Sequence, residues 1–215
     1  MQAAKKNIII RLFLFVFIGM TVLYYRDSFS ESIPNPVQPT VVVSVQDQDT
    51  TVFFQGQRAG HLNKKKSKRV EAFKIGTAVF SEDQLGFEYS AVSEGKGKNE
   101  VMTRCTSQQD KENTRKGCWA GNVKDGKKMY RFSINLTGSM KDKYAVIYGG
   151  HWEDAGDMGP FMNGQVAGPT GHLRLQAIWV WIVTRETLSG NPDMLQTIWN
   201  SRANKYDNVK KKFTD

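Results

Sequence analysis

Apolar and polar residues alternate strictly from Tyr130 to Thr137. Tyr130, Phe132, Ile134 and Leu136 fall on one side, and Arg131, Ser133, Asn135 and Thr137 on the other. A period of two sends successive side chains to opposite faces, so this segment is expected as a half-buried β-strand. The same pattern sets Phe73, Ile75, Thr77 and Val79 against Lys74, Gly76 and Ala78, and Leu85, Phe87, Tyr89 and Ala91 against Gly86, Glu88 and Ser90. Val41–Val45 is a β-branched run that reads as a strand; turn-prone Asp47-Gln48-Asp49 follows it, and then Val52–Phe54. Lys143–Tyr148 adds a further apolar run and Leu173–Val183 the longest one. In the latter, Ile178, Trp179, Val180, Trp181 and Ile182 leave neither face polar, as in a central strand covered on both sides.

Turn signals separate these runs at Gly95-Lys96-Gly97, Lys124-Asp125-Gly126 and Gly138-Ser139. One helix is expected near the end. Asn191-Pro192 makes a cap followed by a first-turn proline, and Met194, Leu195, Ile198 and Trp199 share a helical face. No internal repeat and no strand–helix alternation is present, which disfavours dinucleotide-binding and sugar-nucleotide folds. The expected fold class is mainly β: an antiparallel sandwich or barrel, a jelly roll among the options, with one C-terminal helix and a single transmembrane helix before the β domain.

The N-terminus follows different rules. Residues Ile8 to Tyr25 read IIIRLFLFVFIGMTVLYY, eighteen positions interrupted by one charge, Arg11. That length is at the short end of what crosses a hydrocarbon core of about 30 Å. Arg11 lies near one end, where its stem reaches back to the headgroups, and Tyr24 and Tyr25 suit the interfacial aromatic belt. Lys5, Lys6 and Arg11 precede or open the segment, which by the positive-inside rule leaves the N-terminus cytoplasmic and the rest of the chain outside the cytosol. A cleaved signal peptide is the competing reading, since Leu12–Leu23 has the length of an h-region. Tyr24-Tyr25-Arg26-Asp27 is a poor cleavage site, however, and both readings export the domain. Pro34, Pro36 and Pro39 then favour an extended stem. The expected organisation is a cytoplasmic stub and transmembrane anchor at 1–26, a stem with the first strand at 27–50, and a β-rich domain at 51–215.

Charge adds a question about partners. The 215 residues carry a net charge of +9, with the densest run at Lys64, Lys65, Lys66, Lys68 and Arg69 and a second at Lys210–Lys212. Such runs attract anionic lipid or acidic protein surfaces through a salt-sensitive field, or simply solvate a loop. Nucleic acid is a poor fit, because no aromatic residues are interleaved for stacking and the expected topology keeps the domain away from it.

Candidate chemistry is sparse. Cys105 and Cys118 are the only cysteines. Outside the cytosol they are expected to form a disulfide, and with no second pair at ligand spacing they do not read as a zinc site. Asn135-Leu136-Thr137 is a glycosylation sequon with Asn135 on the polar face of its strand, meaningful only in a glycosylating secretory pathway. The stretch 149–171 holds seven of the nineteen glycines together with His151, Glu153, Asp154 and Asp157. It reads as a long structureless connection that could present a metal or carboxylate-pair site, or else a packing or partner-contact loop. Asp47-Gln48-Asp49 has the form of a glycosyltransferase DxD, but it sits at the edge of the stem with too little chain for the domain that motif needs. The five tryptophans could stack sugars, although Trp179 and Trp181 lie in the most apolar strand, where core packing explains them. No serine elbow, phosphate loop, HExxH or nucleotide fingerprint is present, and no cofactor is implied.

The leading functional expectation is a membrane-anchored, non-enzymatic structural or interaction protein. Its β domain would dock into a larger assembly beside a bilayer, in cell-envelope machinery or as a minor capsid component of a membrane-containing virion. The alternative is a membrane-anchored carbohydrate-binding module or small glycan hydrolase using the 149–171 loop.

Overall fold

A computed structural model of the chain describes residues 39–46, 51–60, 68–77, 79–107, 118–123 and 126–204. They are mainly β, and every paired strand is antiparallel. In the first sheet β1 (Pro39–Val45) lies between β2 (Thr51–Phe53) and β4 (Val70–Thr77), with β7 (Ala120–Gly121) beyond β4. In the second, β5 (Gly86–Glu94) lies between β6 (Glu100–Thr106) and β8 (Met129–Thr137). The third runs β10 (Gly156–Met162), β9 (Tyr144–Trp152), β11 (Leu175–Thr184), β3 (Ala59–Gly60).

Alternation decides which faces turn inward. Tyr130, Phe132, Ile134 and Leu136 of β8 are buried while Asn135 is exposed, and Phe87, Tyr89 and Ala91 of β5 are buried while Glu88 is exposed. One group of rings joins the three sheets. Phe132 of β8 packs 5.5 Å from Phe73 of β4, 5.6 Å from Tyr148 of β9 and 6.1 Å from Trp152 of β9. Aromatic side chains bury the most area per residue, so this contact point dominates the core energetics.

β11 is apolar on both faces because both are covered. Ile178, Val180 and Ile182 point into the common core. Trp179 and Trp181 point the other way and meet Trp199 edge-on at 6.1 and 6.2 Å. Trp199 belongs to a C-terminal helix, Met194–Asn200, whose buried residues are Ile198 and Trp199. Asn191 and Pro192, expected as cap and first-turn proline, stand before the helix instead: Asp193 is the cap residue and Met194 the first helical one. A second short helix, Arg185–Ser189, was not expected from the sequence. The Thr184 side chain caps it, accepting from the Thr187 N–H.

Three expectations need correction. Val79 lies beyond the end of β4 and is 54% exposed, because the alternation outlasts the pairing with β1 at Pro39–Thr77. β6 carries no clear alternation and was not expected. Residues 149–171 are not a long structureless connection: they hold the end of β9, a tight turn and all of β10. The glycines there serve close packing. A Cβ on Gly149 would sit 2.4 Å from the Trp199 ring, and one on Gly159 2.7 Å from it.

The expected anchor at 8–25, the stem, Asp47-Gln48-Asp49, Lys64–Lys66 and Lys210–Lys212 lie outside the described residues. Among the described residues no helix is long and apolar enough to cross a membrane.

Candidate functional site

The hairpin of β9 and β10 holds the four residues singled out for chemistry, and its register separates them. His151 and Asp157 are directly opposite across the two strands. The His151 ring lies 2.6 Å, Nδ1 to Oδ1, from Asp157. The other carboxylate oxygen accepts from Nε and Nη2 of Arg202 at 3.2 and 3.0 Å. Arg202 in turn lies 4.0 Å over the Trp199 ring and donates to the Trp199 carbonyl at 2.7 Å. Glu153 sits past the end of β9, paired with Arg174, and its N–H donates to the Arg174 carbonyl at 3.0 Å. Asp154 is exposed at the turn with φ +65.

The acids therefore do not converge. Each of Glu153 and Asp157 is oriented by its own arginine, and both ion pairs tie separate chain segments together. Among the described residues no three His, Cys, Asp or Glu side chains come together to hold a metal. What the arrangement does chemically is clasp the chain after the C-terminal helix to the hairpin beneath it.

A second polar group gathers at one end of the β6–β5–β8 sheet. Glu100 pairs with Arg131 and lies 3.4 Å from His172, which packs against the Tyr130 ring at 4.8 Å. Burial raises the pKa of the Tyr130 phenol, with smaller contributions from Glu94 and Glu100. Burial also pushes Tyr148 up to about 12, against the lowering effect of backbone hydrogen bonds. The Tyr148 hydroxyl donates to the Gln165 carbonyl.

The remaining sequence candidates are dispersed. Cys105 and Cys118 are joined in a disulfide with Cα atoms 5.6 Å apart, and Tyr89 donates to the Cys118 carbonyl at 2.8 Å. Asn135 is exposed on the outer face of β8, opposite Glu88. Of the basic run, Lys68 and Arg69 are described, and Arg69 faces the buried Glu71 at 3.5 Å. Trp152, Trp179, Trp181 and Trp199 are buried. They are packing residues; Trp119 is the partly exposed one, beneath Lys74 at 5.4 Å.

One surface escaped the sequence reading. Unpaired sheet edges offer rows of N–H and C=O groups, and proteins normally shorten or block them. β2, β3 and β7 are two or three residues long. β10 breaks register between Met158 and Phe161, around Pro160, which has no N–H. The free side of β8 is closed by Phe132 and Ala167, which exchange N–H···O bonds, and by the Gly164 N–H to Ile134. β6 differs from all of these. It is seven residues long, regular, and paired among the described strands only with β5. Val101 and Met102 on it are 44% and 55% exposed. Neither a protein family, nor a known protein, nor a solved structure shows significant similarity to the chain. The signal for β6 was the Gly95-Lys96-Gly97 turn, which closes a hairpin on β5 and requires a partner strand after it.

Proposed function

We propose that the chain is a membrane-anchored, non-enzymatic interaction protein. Its sandwich-like β domain docks into an assembly beside a bilayer, held there by residues 8–25. The observation that carries this reading is the edge of β6, where no described strand pairs on the side away from β5 and Val101 and Met102 are exposed. A regular edge strand that no described strand covers is of the kind that invites strand pairing, and a partner strand would complete the sheet there. The hairpin supports the same reading from the other side: His151, Glu153 and Asp157 are engaged in ties between segments. The apolar, singly charged stretch 8–25 and the cationic residues before it support the anchor. The lysine runs favour an anionic lipid or acidic surface nearby. Cell-envelope machinery or a membrane-containing virion would each use such a part.

The test places a photo-crosslinking residue at position 102 of the detergent-solubilised full chain, with a second at position 166 as control. A specific adduct at 102 and none at 166 is expected. A chain that resists alkaline extraction from membranes is the expected result for the anchor. An extractable, monomeric chain with no adduct at 102 overturns the proposal.

A further inference from the structure

We propose that the occupant of the β6 edge is a second copy of this chain, joined strand to strand about a two-fold axis at Met102. This rests on the reading of β6 as a docking edge and adds the identity of the partner. Glu100, Met102 and Arg104 point to one face of β6, opposite Glu94, Val92 and Ser90 of β5. All three are exposed. When a strand pairs antiparallel with its own copy about Met102, Glu100 comes opposite the second copy's Arg104, and Arg104 opposite its Glu100. Met102 then meets Met102, and on the other face Val101 meets Thr103. Two ion pairs flank an apolar centre, and every contact off the axis is made twice, as an isologous interface requires. Directly opposed side chains in such a ladder stand about 4.5–5.5 Å apart, close enough for the pairs to form.

The register is selective. A two-fold axis normal to a continuous sheet must pass through a residue position, because opposed side chains share a face. Centring on Val101 or Thr103 leaves Arg104 without an acid opposite it. Among the described residues Arg104 has no carboxylate partner, whereas Glu100 already pairs with Arg131 and lies 3.4 Å from His172, so its carboxylate is shared between Arg131 and Arg104 of the second copy. The inner side of β6 is already anchored: the Thr103 hydroxyl accepts from the Gly121 N–H at 2.6 Å and donates to the Ala91 carbonyl at 3.4 Å. The product is a six-stranded sheet, β8–β5–β6 continued by β6–β5–β8 of the second copy, with both β6 edges closed.

The experiment uses the full chain in detergent, with its mass read by light scattering. A protein mass twice the 24.3 kDa of one chain is expected. Arg104→Glu alone and Glu100→Arg alone should each reduce it to the single-chain mass, by setting like charges opposite. An equimolar mixture of the two variants should restore the doubled mass, because each acid then meets a base. A variant that had merely lost its fold would not be rescued by mixing. Met102→Cys should give a disulfide-linked dimer on mild oxidation, and Val166→Cys should not. A single-chain mass at every concentration, or a dimer indifferent to Arg104→Glu, overturns the proposal. If the crosslinker at position 102 captures a different protein, the docking reading stands and the second copy is ruled out. If it captures nothing, both fall.

Discussion

At the scale of single residues, the hairpin shows charged groups spent on geometry. Arg202 binds Asp157 through two nitrogens while lying over the Trp199 ring and donating to the Trp199 carbonyl, so it holds two chain segments by four contacts. Arg202→Ala is expected to lower the unfolding free energy by about 1–2 kcal/mol in urea, combining a partly exposed ion pair with lost stacking. Tyr148 provides a pH test. Its folded pKa is about 12 against an ordinary value of 10.0, so between those limits the unfolded chain has released a proton that the folded chain retains. Unfolding is then favoured as pH rises, and stability should fall from about pH 10 toward about pH 12. Tyr148→Phe should remove that part of the alkaline slope, read from denaturation midpoints at pH 9 to 12.

At the scale of elements, the C-terminal helix is positioned by the strands beneath it more than by its own sequence. Seven residues form a marginal helix, and the packing of Trp199 on Gly149, Gly159, Trp179 and Trp181 supplies what propensity does not. Gly149→Ala drives a methyl into that ring and toward the Met158 carbonyl, 2.6 Å away. The expected destabilisation is about 2–3 kcal/mol, with loss of near-ultraviolet tryptophan ellipticity as the readout. Strands with clean alternation, β4, β5 and β8, were legible in advance. β10 was not, because its glycines and Pro160 read as turn residues and its pairing with β9 is made by backbone. β6 was not, because an edge strand with one side in solvent need not alternate.

At the scale of the whole molecule, the disulfide and the three sheets act together. Cys105 lies in β6 and is buried in the common core, while Cys118 stands just before β7 of the first sheet. The bond therefore links two sheets, across a sequence separation of 13. Replacing both cysteines by serine should lower the unfolding free energy by roughly 3 kcal/mol on the loop-entropy account, measured by chemical denaturation. The same change loosens β6, so a dimer joined through that strand, as proposed, should dissociate at lower denaturant. Export into a glycosylating secretory pathway should add a glycan to Asn135, exposed on the outer face of β8, and Asn135→Gln should remove the mass increment.

Legible in the residues alone were the β class, the inward residues of the alternating strands, the two-faced burial of β11, the presence of a helix near the end, though not its first residue, and the cysteine pairing. Each follows from local periodicity or from a compositional rule that needs no knowledge of neighbours. Folding in three dimensions settled that His151 and Asp157 are cross-strand partners tied to Arg202, that Glu153 belongs to Arg174, and that among the described strands β6 pairs with β5 alone. Those outcomes depend on register and on strand order, which are set by contacts between segments far apart in the chain, and no local pattern encodes them.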